Sequence, residues 1–396
     1  MRVLVHKQAA IVHAFYNQGV KSDICIRGAG VVGKVLALLL ARTRVGVTLV
    51  MPKSPAALTE DIRSYALNAA SRQLLQSLRV WPEQASAVQQ MCVMGDDRSG
   101  KAAQVQFASP EKAQDGGALA WIVDAQLLER NLTTALSFSA DIALMDQAAP
   151  AQLTVICEGK HSITRAATGA HYEQFAYGQS AVAAHITCNH SHQATAWQWM
   201  RNGEVCALLP RGQAVPGNSV ALVWSVSHDR AQSLLDLPPD AFIAQLQEAT
   251  SNRLGAMQLS SMRAAWPLSV AQAEHWSGQA EWGTWVLAGD AAHAIHPLAG
   301  QGLNLGLQDA RELAEVLSSK PYFRAFSDSR LLRSYERSRK AEAAVLRAAT
   351  DGLHQLFVMQ DVRVQALRNW GMSSFDAAVP LKRWVMQRAA GRMSKA

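Results

Sequence analysis

The sequence predicts an α/β fold in which a Rossmann-like unit is interrupted by an inserted antiparallel β-sheet and completed by a helical C-terminal region. Three observations predict it. A short β-type run, DICIR at 23–27, leads into GAGVVG, then into the helix formers VLALLLARTR, then into a second β-type run, VGVTLV. Between about 175 and 270, β-branched and aromatic runs follow one another (SAVAAHI, AWQWM, VCALLP, SVALVWSV), parted by polar or Pro/Gly turns. From LNLGLQDARELAEVL onward the pattern is mostly helical. No internal repeat and no low-complexity linker separates these pieces.

Composition bounds the answer. With 396 residues, 49% hydrophobic and 17% charged, the chain can bury a large core, which argues against disordered and fibrous classes. The best apolar run, VLALLLA, is bracketed by Lys34 and Arg42 and falls far short of the ~20 residues that span a bilayer. Residues 1–22 begin with a basic residue but lack a long apolar region and a small-residue cleavage site, so they read as an N-terminal extension. Five scattered cysteines (Cys25, Cys92, Cys157, Cys188, Cys206) with no CxxC spacing fit a reducing cytoplasm and neither a disulfide framework nor a zinc site.

The formal charge of +7 permits attraction to anionic lipid, nucleic acid or an acidic partner, or is simply a solvated basic surface. Basic residues gather late in the chain: Arg330, Arg333, Arg337, Arg339, Lys340 and Arg347, then Lys382, Arg383, Arg388 and Arg392. Trp370, Met372, Phe375, Trp384 and Met386 are interleaved with them, a composition suited to resting on a membrane, although such spacing also builds cores.

In the first βαβ unit, Gly28, Gly30 and Gly33 satisfy G-x-G-x-x-G between a strand and a helix. Gly28 would make the tight turn, Gly30 would let a pyrophosphate approach, and Gly33 would let the helix pack on the strand. The helix N-terminus adds N–H donors and a favourable dipole. An acid that binds ribose hydroxyls is expected about 20 residues on, but that position is Met51. Further along, DIRSYALNAASRQLLQSLRV (61–80) reads as a helix with Arg63 near its start, and WIVDAQLLERNLTTAL (121–136) has helical spacing. LPPDAFIAQLQEAT (237–250) reads as a helix with Asp240 as its cap.

A second glycine-rich string, GDAAHAIHPLAGQGLNLG (289–306), follows the strand-like WVLA. Gly289-Asp290 falls at a strand's carboxyl end, where a carboxylate can accept hydrogen bonds from sugar or ribityl hydroxyls. His296-Pro297 is a stiff extended step, and Gly300-Gln301-Gly302 lets backbone approach a flat ligand. The helix that follows points its first N–H groups back at this loop.

Together these segments resemble the flavin-dependent aromatic hydroxylases of the para-hydroxybenzoate hydroxylase fold, and within them the ubiquinone-biosynthesis branch. GAGVVG resembles the family's FAD pyrophosphate motif, and GDAAHAIHPLAGQGLNLGLQDA its second FAD motif. CEGKHSITR resembles the intervening Asp-Gly motif with its Ser and Arg, with Glu158 in place of the Asp. YERSRKAEAAVLRAATDGLHQLF, ALRNWGM and PLKRWVMQRAAG resemble the branch's C-terminal region, so the likeness runs from about residue 23 to the end.

The resemblance implies a Rossmann-like FAD-binding domain, discontinuous over 23–175 and 275–345. It further implies a substrate domain at 176–274 that takes in part of 80–120, and a helical region at 346–396. Gly28, Gly30 and Gly33 would hold the pyrophosphate, Arg63 would lie beside the cofactor, and Gly289 and Asp290 would meet the ribityl chain. Pro297, Gly300, Gln301, Gly302, Leu303 and Asn304 would line the isoalloxazine, with Pro297 and Gln301 facing the reacting ring. Family members reduce FAD with NAD(P)H, add O2 to give a C4a-hydroperoxide, and pass one oxygen to a phenolic carbon. The implied substrate is a polyprenyl phenol or another aromatic of the ubiquinone pathway, met at the inner face of a membrane or within a quinone-biosynthesis complex. Nucleic acid is not an expected partner.

Three positions depart from the pattern: Met51, Ala125 where the branch carries a polar residue, and Glu158. They motivate an alternative of another class, a catalytically weakened flavin-fold scaffold subunit. Other readings rank lower. Flavin halogenases carry Trp-x-Trp-x-Ile-Pro, but here Trp197-Gln-Trp199 runs into Met200-Arg201. His185, His190 and His192 lack an obvious fourth metal ligand, and Ser162 and Ser180 lack a nucleophile elbow. An NAD-dependent dehydrogenase gives the second glycine string no role.

Overall fold

In a computed structural model, residues 22–51, 61–95, 104–109, 117–212, 217–295 and 301–358 are described. A six-stranded sheet is built from β1 (Ile24–Arg27), β2 (Val47–Val50), β8 (Ile142–Met145), β9 (Leu153–Ile156), β16 (Ser277–Ala280) and β17 (Gly283–Leu287), in the order β16-β17-β9-β1-β2-β8. All neighbours are parallel except the β16–β17 hairpin. β1 and β2 are almost wholly buried, apolar runs, as expected of parallel strands covered on both faces.

A nine-stranded sheet holds β5 (Gln90–Met94), β6 (Gln104–Ala108), β10 (Tyr172–Cys188), β11 (Thr195–Arg201), β12 (Glu204–Pro210), β13 (Ser219–Ser227), β14 (Met257–Leu259), β15 (Ala264–Ala273) and β18 (His293–Ala294). The four runs seen in the sequence are β10 to β13, and their pairings are antiparallel. β5 joins β11 in parallel, so residues from 90–108 extend this sheet. The remaining strands, β3 (Ser64–Leu67), β4 (Ser86–Val88) and β7 (Ala120–Asp124), form a third, small sheet.

The helices are α1 (Val31–Ala41), α2 (Ala69–Ser77), α3 (Ala125–Ser137), α4 (Ile163–Ala167), α5 (His228–Asp236), α6 (Pro239–Ala249), α7 (Gln301–Ser318) and α8 (Ser329–Val358). One core is shared by the parallel sheet, α1, α3, α7 and α8. A second lies on one face of the large sheet, where Val182, Trp199, Leu222 and Trp224 meet Leu234, Phe242 and Leu246 of α5 and α6. Trp197 and Trp199 stack in this second core with centroids 6.3 Å apart, so both indoles pack in the sheet.

Two expected helices begin later than the sequence spacing suggests. Residues 64–67 are strand, and α2 starts after Asn68, whose side chain accepts from Ser71 N at 2.9 Å. Residues 120–124 are strand, and α3 starts after Asp124, which accepts from Leu127 N at 3.1 Å. β3 and β7 are partners, and that cross-strand pairing, invisible to local periodicity, overrides helix spacing in both. Asp240 is a further correction. The α6 cap is Pro238, and Asp240 sits in the first turn, where its charge meets the helix dipole without capping it. α8 runs unbroken through positions 345 and 346.

Candidate functional site

The site follows from strand register. Arg27 is level with Val50 and Ile156, and Ile156 is level with Leu287. Four carboxyl ends therefore finish side by side and deliver Gly28, Met51, Cys157-Glu158 and Gly289-Asp290 to one edge. In a parallel sheet that edge is where ligands bind.

The glycines there divide into closed and open positions. Gly28 has φ +109°, and a Cβ would lie 2.4 Å from Cys157 O. At Gly33 a Cβ would lie 2.0 Å from Gly28 O, so α1 packs on the turn only because the side chain is missing. Gly30 is different: it caps α1, and a Cβ would meet nothing among the described residues within 4 Å. No side chain caps α1, and its first turn carries no acid. The uncapped N–H groups of the first turn, beside the room left at Gly30 among the described residues, fit a phosphate, as the sequence spacing implied.

The two glycine strings meet on Val32 of α1. Its methyls would be 3.2 Å from a Cβ at Gly289 (φ +63°) and 2.8 Å from one at Gly306. Gly289 belongs to a short 3-10 turn, Gly289–Ala291, between β17 and β18. Buried groups hold this turn from behind. Asp309 of α7, fully buried, accepts from Gly289 N at 2.9 Å, shares a 2.6 Å hydrogen bond with His293 Nε2, and accepts from Arg339 Nε at 2.7 Å. Burial pushes the Asp309 carboxyl up, but His293 and Arg339 outweigh that and hold it below the usual range. His293 also stacks on Trp276, with centroids 4.8 Å apart.

From the other side, Arg165 Nη1 donates to Ala291 O at 3.1 Å while its guanidinium lies 3.4 Å from the Tyr172 ring centroid. Tyr172 Oη donates to Asp290 O at 2.9 Å. The Asp290 side chain itself is solvent-accessible, with Lys160, His293, Asp309 and Arg63 as its charged neighbours. Burial pushes the phenols of Tyr65 and Tyr172 up to about 12, so both keep their O–H at neutral pH.

Arg63 is thus brought into electrostatic range of Asp290 from a distant part of the chain, and forms a bidentate pair with Asp61 at 2.8 and 2.6 Å. Among the described residues nothing lies within 4 Å of a Cβ at Gly302, and Leu303 packs against the first core. Asn304 serves the fold itself. Its Oδ1 accepts from Asn68 N and Ser71 Oγ at 2.9 and 2.7 Å, and its Nδ2 donates to Ala66 O at 2.9 Å. Gln301 opens α7. His296, Pro297 and Gly300 lie outside the described residues, as do the basic and aromatic positions from 359 onward.

Of the three departures, Glu158 is fully engaged. It pairs with Arg27 at 3.1 Å and accepts from Ser162 Oγ, Thr164 Oγ1 and Thr164 N at 2.7, 2.7 and 3.1 Å. Burial raises its carboxyl, but the Ser162 and Thr164 hydrogen bonds and the Arg27 charge hold it below the usual range. Ala125 is buried, with its N donating to Arg63 O at 3.0 Å. Met51 follows β2, its N donating to Met145 O at 2.8 Å, and carries a thioether where the sequence spacing expects a ribose-binding acid. Glu158→Ala should leave Thr164 and Arg27 without their acceptor. A fall of about 1–3 kcal/mol in unfolding free energy is expected, read by urea denaturation.

Sequence reasoning missed the Asp309–His293–Arg339 hub. One signal was there: on α7 the buried positions Leu305, Ala310, Leu313 and Leu317 share their face with a single acid, Asp309. A charge at core spacing demands buried partners.

An open glycine turn at a helix start, beside an aspartate turn at the carboxyl edge of a parallel sheet, is the geometry of a dinucleotide-binding protein. The chain belongs to the FAD binding domain family, which matches residues 145–350. It is similar to the ubiquinone hydroxylase UbiL of Rhodospirillum rubrum, 28% identical over 397 residues that cover 94% of this chain and 90% of that protein. The 3-demethoxyubiquinol 3-hydroxylase of Escherichia coli is 28% identical over 400 residues, covering 93% of this chain and 98% of the relative. In fold the chain is similar to the p-nitrophenol 4-monooxygenase PnpA of Pseudomonas putida, with a TM-score of 0.73, 16% identity, and coverage of 94% and 99%.

Proposed function

We propose that this protein is an FAD- and NAD(P)H-dependent monooxygenase that hydroxylates a phenolic ring, a polyprenyl phenol of ubiquinone biosynthesis. The observation that carries the reading is the meeting of the open Gly30 cradle and the Asp290 turn at one sheet edge. Similarity to ubiquinone hydroxylases along more than nine-tenths of the chain supports the substrate class. When bound, FAD supplies redox chemistry and activation of O2. The chain's residues bind and orient: Gly28, Gly30 and Gly33 hold the pyrophosphate, and Gly289-Asp290 accepts from ribityl hydroxyls. Arg63 flanks the cofactor. By the family resemblance Gln301, Gly302 and Leu303 would line the ring, as would Pro297 and Gly300, which lie outside the described residues, and Asn304 fixes the start of α7. Holding the ring carbon close and excluding water replaces any need for a protein nucleophile.

In this reading the parallel sheet, over 23–175 and 275–345, is the cofactor domain. The substrate domain, over 176–274 with part of 80–120, is built on the nine-stranded sheet, whose strands β10 and β18 also reach Tyr172 and His293–Ala294. No helix among the described residues is long and apolar enough to cross a membrane. A cytoplasmic protein resting on the inner membrane face through its basic and aromatic C-terminal third would have access to a lipid-tailed phenol. Retention in a low-salt liposome sedimentation assay is the expected result.

The visible spectrum of the purified protein before and after FAD addition tests the central claim. A flavin spectrum with micromolar binding, then oxygen uptake with candidate phenols, is expected; no binding at about 100 μM FAD sinks it. Met51 favours a second reading, a scaffold with weakened cofactor affinity. Met51→Glu should tighten FAD by about ten- to a hundredfold, the worth of one charge-assisted hydrogen bond, in a flavin titration.

A further inference from the structure

The chain between α7 and α8 turns a corner that carries two aromatic side chains into water. Tyr322 is 95% exposed and Phe323 71% exposed, and their rings meet edge to face with centroids 5.6 Å apart. Single exposed apolar side chains are ordinary, but two adjacent rings on a fixed corner are not. Hydrogen bonds fix this one. Lys320 Nζ donates to Arg324 O at 2.8 Å and lies 4.5 Å from the centroid of the buried Phe326 ring. Arg324 N donates to Pro321 O at 3.0 Å, and the Arg324 guanidinium pairs with Asp328 at 3.4 Å.

The corner leads into the outer face of α8. Arg330, Arg333, Arg337, Ala341 and Val345 are exposed and recur every three or four residues, so they form one stripe about 22 Å long. The three arginines make no ion pair among the described residues; Arg333 donates to Ser329 Oγ at 2.9 Å. The acids of α8 in this span are committed elsewhere. Glu336 is buried and accepts from Ser277 Oγ and Lys340 Nζ at 2.8 and 2.6 Å, and Glu342 pairs with Arg339. The stripe crosses the parallel sheet from edge to edge. Ahead of the corner, Ser318 Oγ donates at 3.2 Å to Thr43 Oγ1, which lies before β2 at the amino edge. Beyond it, Arg347 Nη1 donates to Gln272 Oε1 at 3.0 Å, and Gln272 is level with His293, beside the Asp290 turn.

A cationic, acid-free strip led by exposed rings complements an anionic lipid surface: arginines meet headgroup phosphates, and aromatic rings settle at headgroup depth. We propose that α8 lies along an anionic membrane through this strip, with the Tyr322–Phe323 corner set into the headgroup layer. The inference rests on the reading of the protein as a hydroxylase of lipid-tailed phenols, and it assigns the membrane contact to particular residues away from the cofactor edge. Because the stripe ends beside Gln272, the lipid surface also passes the carboxyl edge of the parallel sheet, so a ring can reach that edge while its tail stays in lipid.

The test is sedimentation of the full-length protein with vesicles of phosphatidylcholine containing about 30% phosphatidylglycerol, beside vesicles of phosphatidylcholine alone. Wild type should bind the anionic vesicles, lose them steeply between about 50 and 300 mM salt, and leave the neutral ones largely unbound. Arg330→Gln, Arg333→Gln and Arg337→Gln combined should weaken binding about a hundredfold, roughly fivefold per charge. Tyr322→Ser with Phe323→Ser should weaken it about tenfold. Arg130→Gln, an exposed charge on α3 outside the strip, should bind as wild type does. FAD titration of the same variants should match wild type, so failure of the flavin reading and failure of the membrane contact appear in separate measurements. No retention by anionic vesicles overturns the proposal and leaves the strip to an acidic protein partner. Retention unchanged in both strip variants also overturns it, because the contact then lies elsewhere in the chain.

Discussion

Asp309→Ala is expected to destabilise the protein by about 3–5 kcal/mol, the cost of removing one partner from a buried ion pair. The change strips Arg339, itself 1% exposed, of its buried carboxylate, and takes the acceptor from Gly289 N and from His293. Total stability of a folded domain is about 5–15 kcal/mol, so the variant should lose much of its soluble yield and release flavin as the Gly289–Ala291 turn loosens. Asp309→Asn keeps an acceptor for Gly289 but removes the charge, and should fall between the two. Urea midpoints decide the matter: a loss under about 1 kcal/mol for the alanine variant would mean that the hub does not hold the turn.

The same carboxylate sets a pH dependence. The folded Asp309 carboxyl sits below its unfolded value, and Glu158 and Glu336 are depressed as well. A depressed acid contributes stability that is fully present above the unfolded value, ~4, and is lost as pH falls through the folded one. Acid unfolding should therefore begin below about pH 4. In Asp309→Asn its onset should be shallower, because one of the four depressed carboxyls, with Asp61 as the fourth, no longer titrates.

Gly33→Ala is expected to be nearly as damaging, and by another route. The new methyl would stand 2.0 Å from Gly28 O, a backbone atom that cannot step aside without moving the turn. Overpacking of this kind costs about 1–3 kcal/mol, and the displaced turn should also weaken FAD by more than tenfold. Gly30→Ala separates the two effects. Its methyl meets no described residue, so melting should be unchanged while FAD affinity falls, because the methyl fills room that a phosphate needs. Equal FAD affinity in Gly30→Ala and wild type would remove the pyrophosphate from this cradle.

Much of the parallel sheet was legible because its signals are local. GAGVVG between two β-type runs names its own turn, and Gly28, Gly33 and Gly289 each stand where a side chain would collide or where φ is positive. The β3–β7 pair was not legible, since each strand runs straight into a helix and only the partner, more than fifty residues away, distinguishes the two states. Glu158 read as a flaw in a motif, yet the extra methylene still finds Arg27, Ser162 and Thr164. Asn304 read as a ligand contact, and its amide in addition ties α7 to the β3–α2 corner. In both cases the residue type was informative and its partners were beyond the reach of spacing.

Leu287 ends a strand of the parallel sheet, and His293 begins one of the antiparallel sheet. Only six peptide steps join them, at most ~20 Å of chain, and Asp290 stands midway. The two sheets thus share a short tether that passes through the cofactor edge and is pinned at both ends by backbone pairing. Any sliding of the substrate-side sheet against the nucleotide-side sheet is transmitted through that tether to the Asp290 carboxylate.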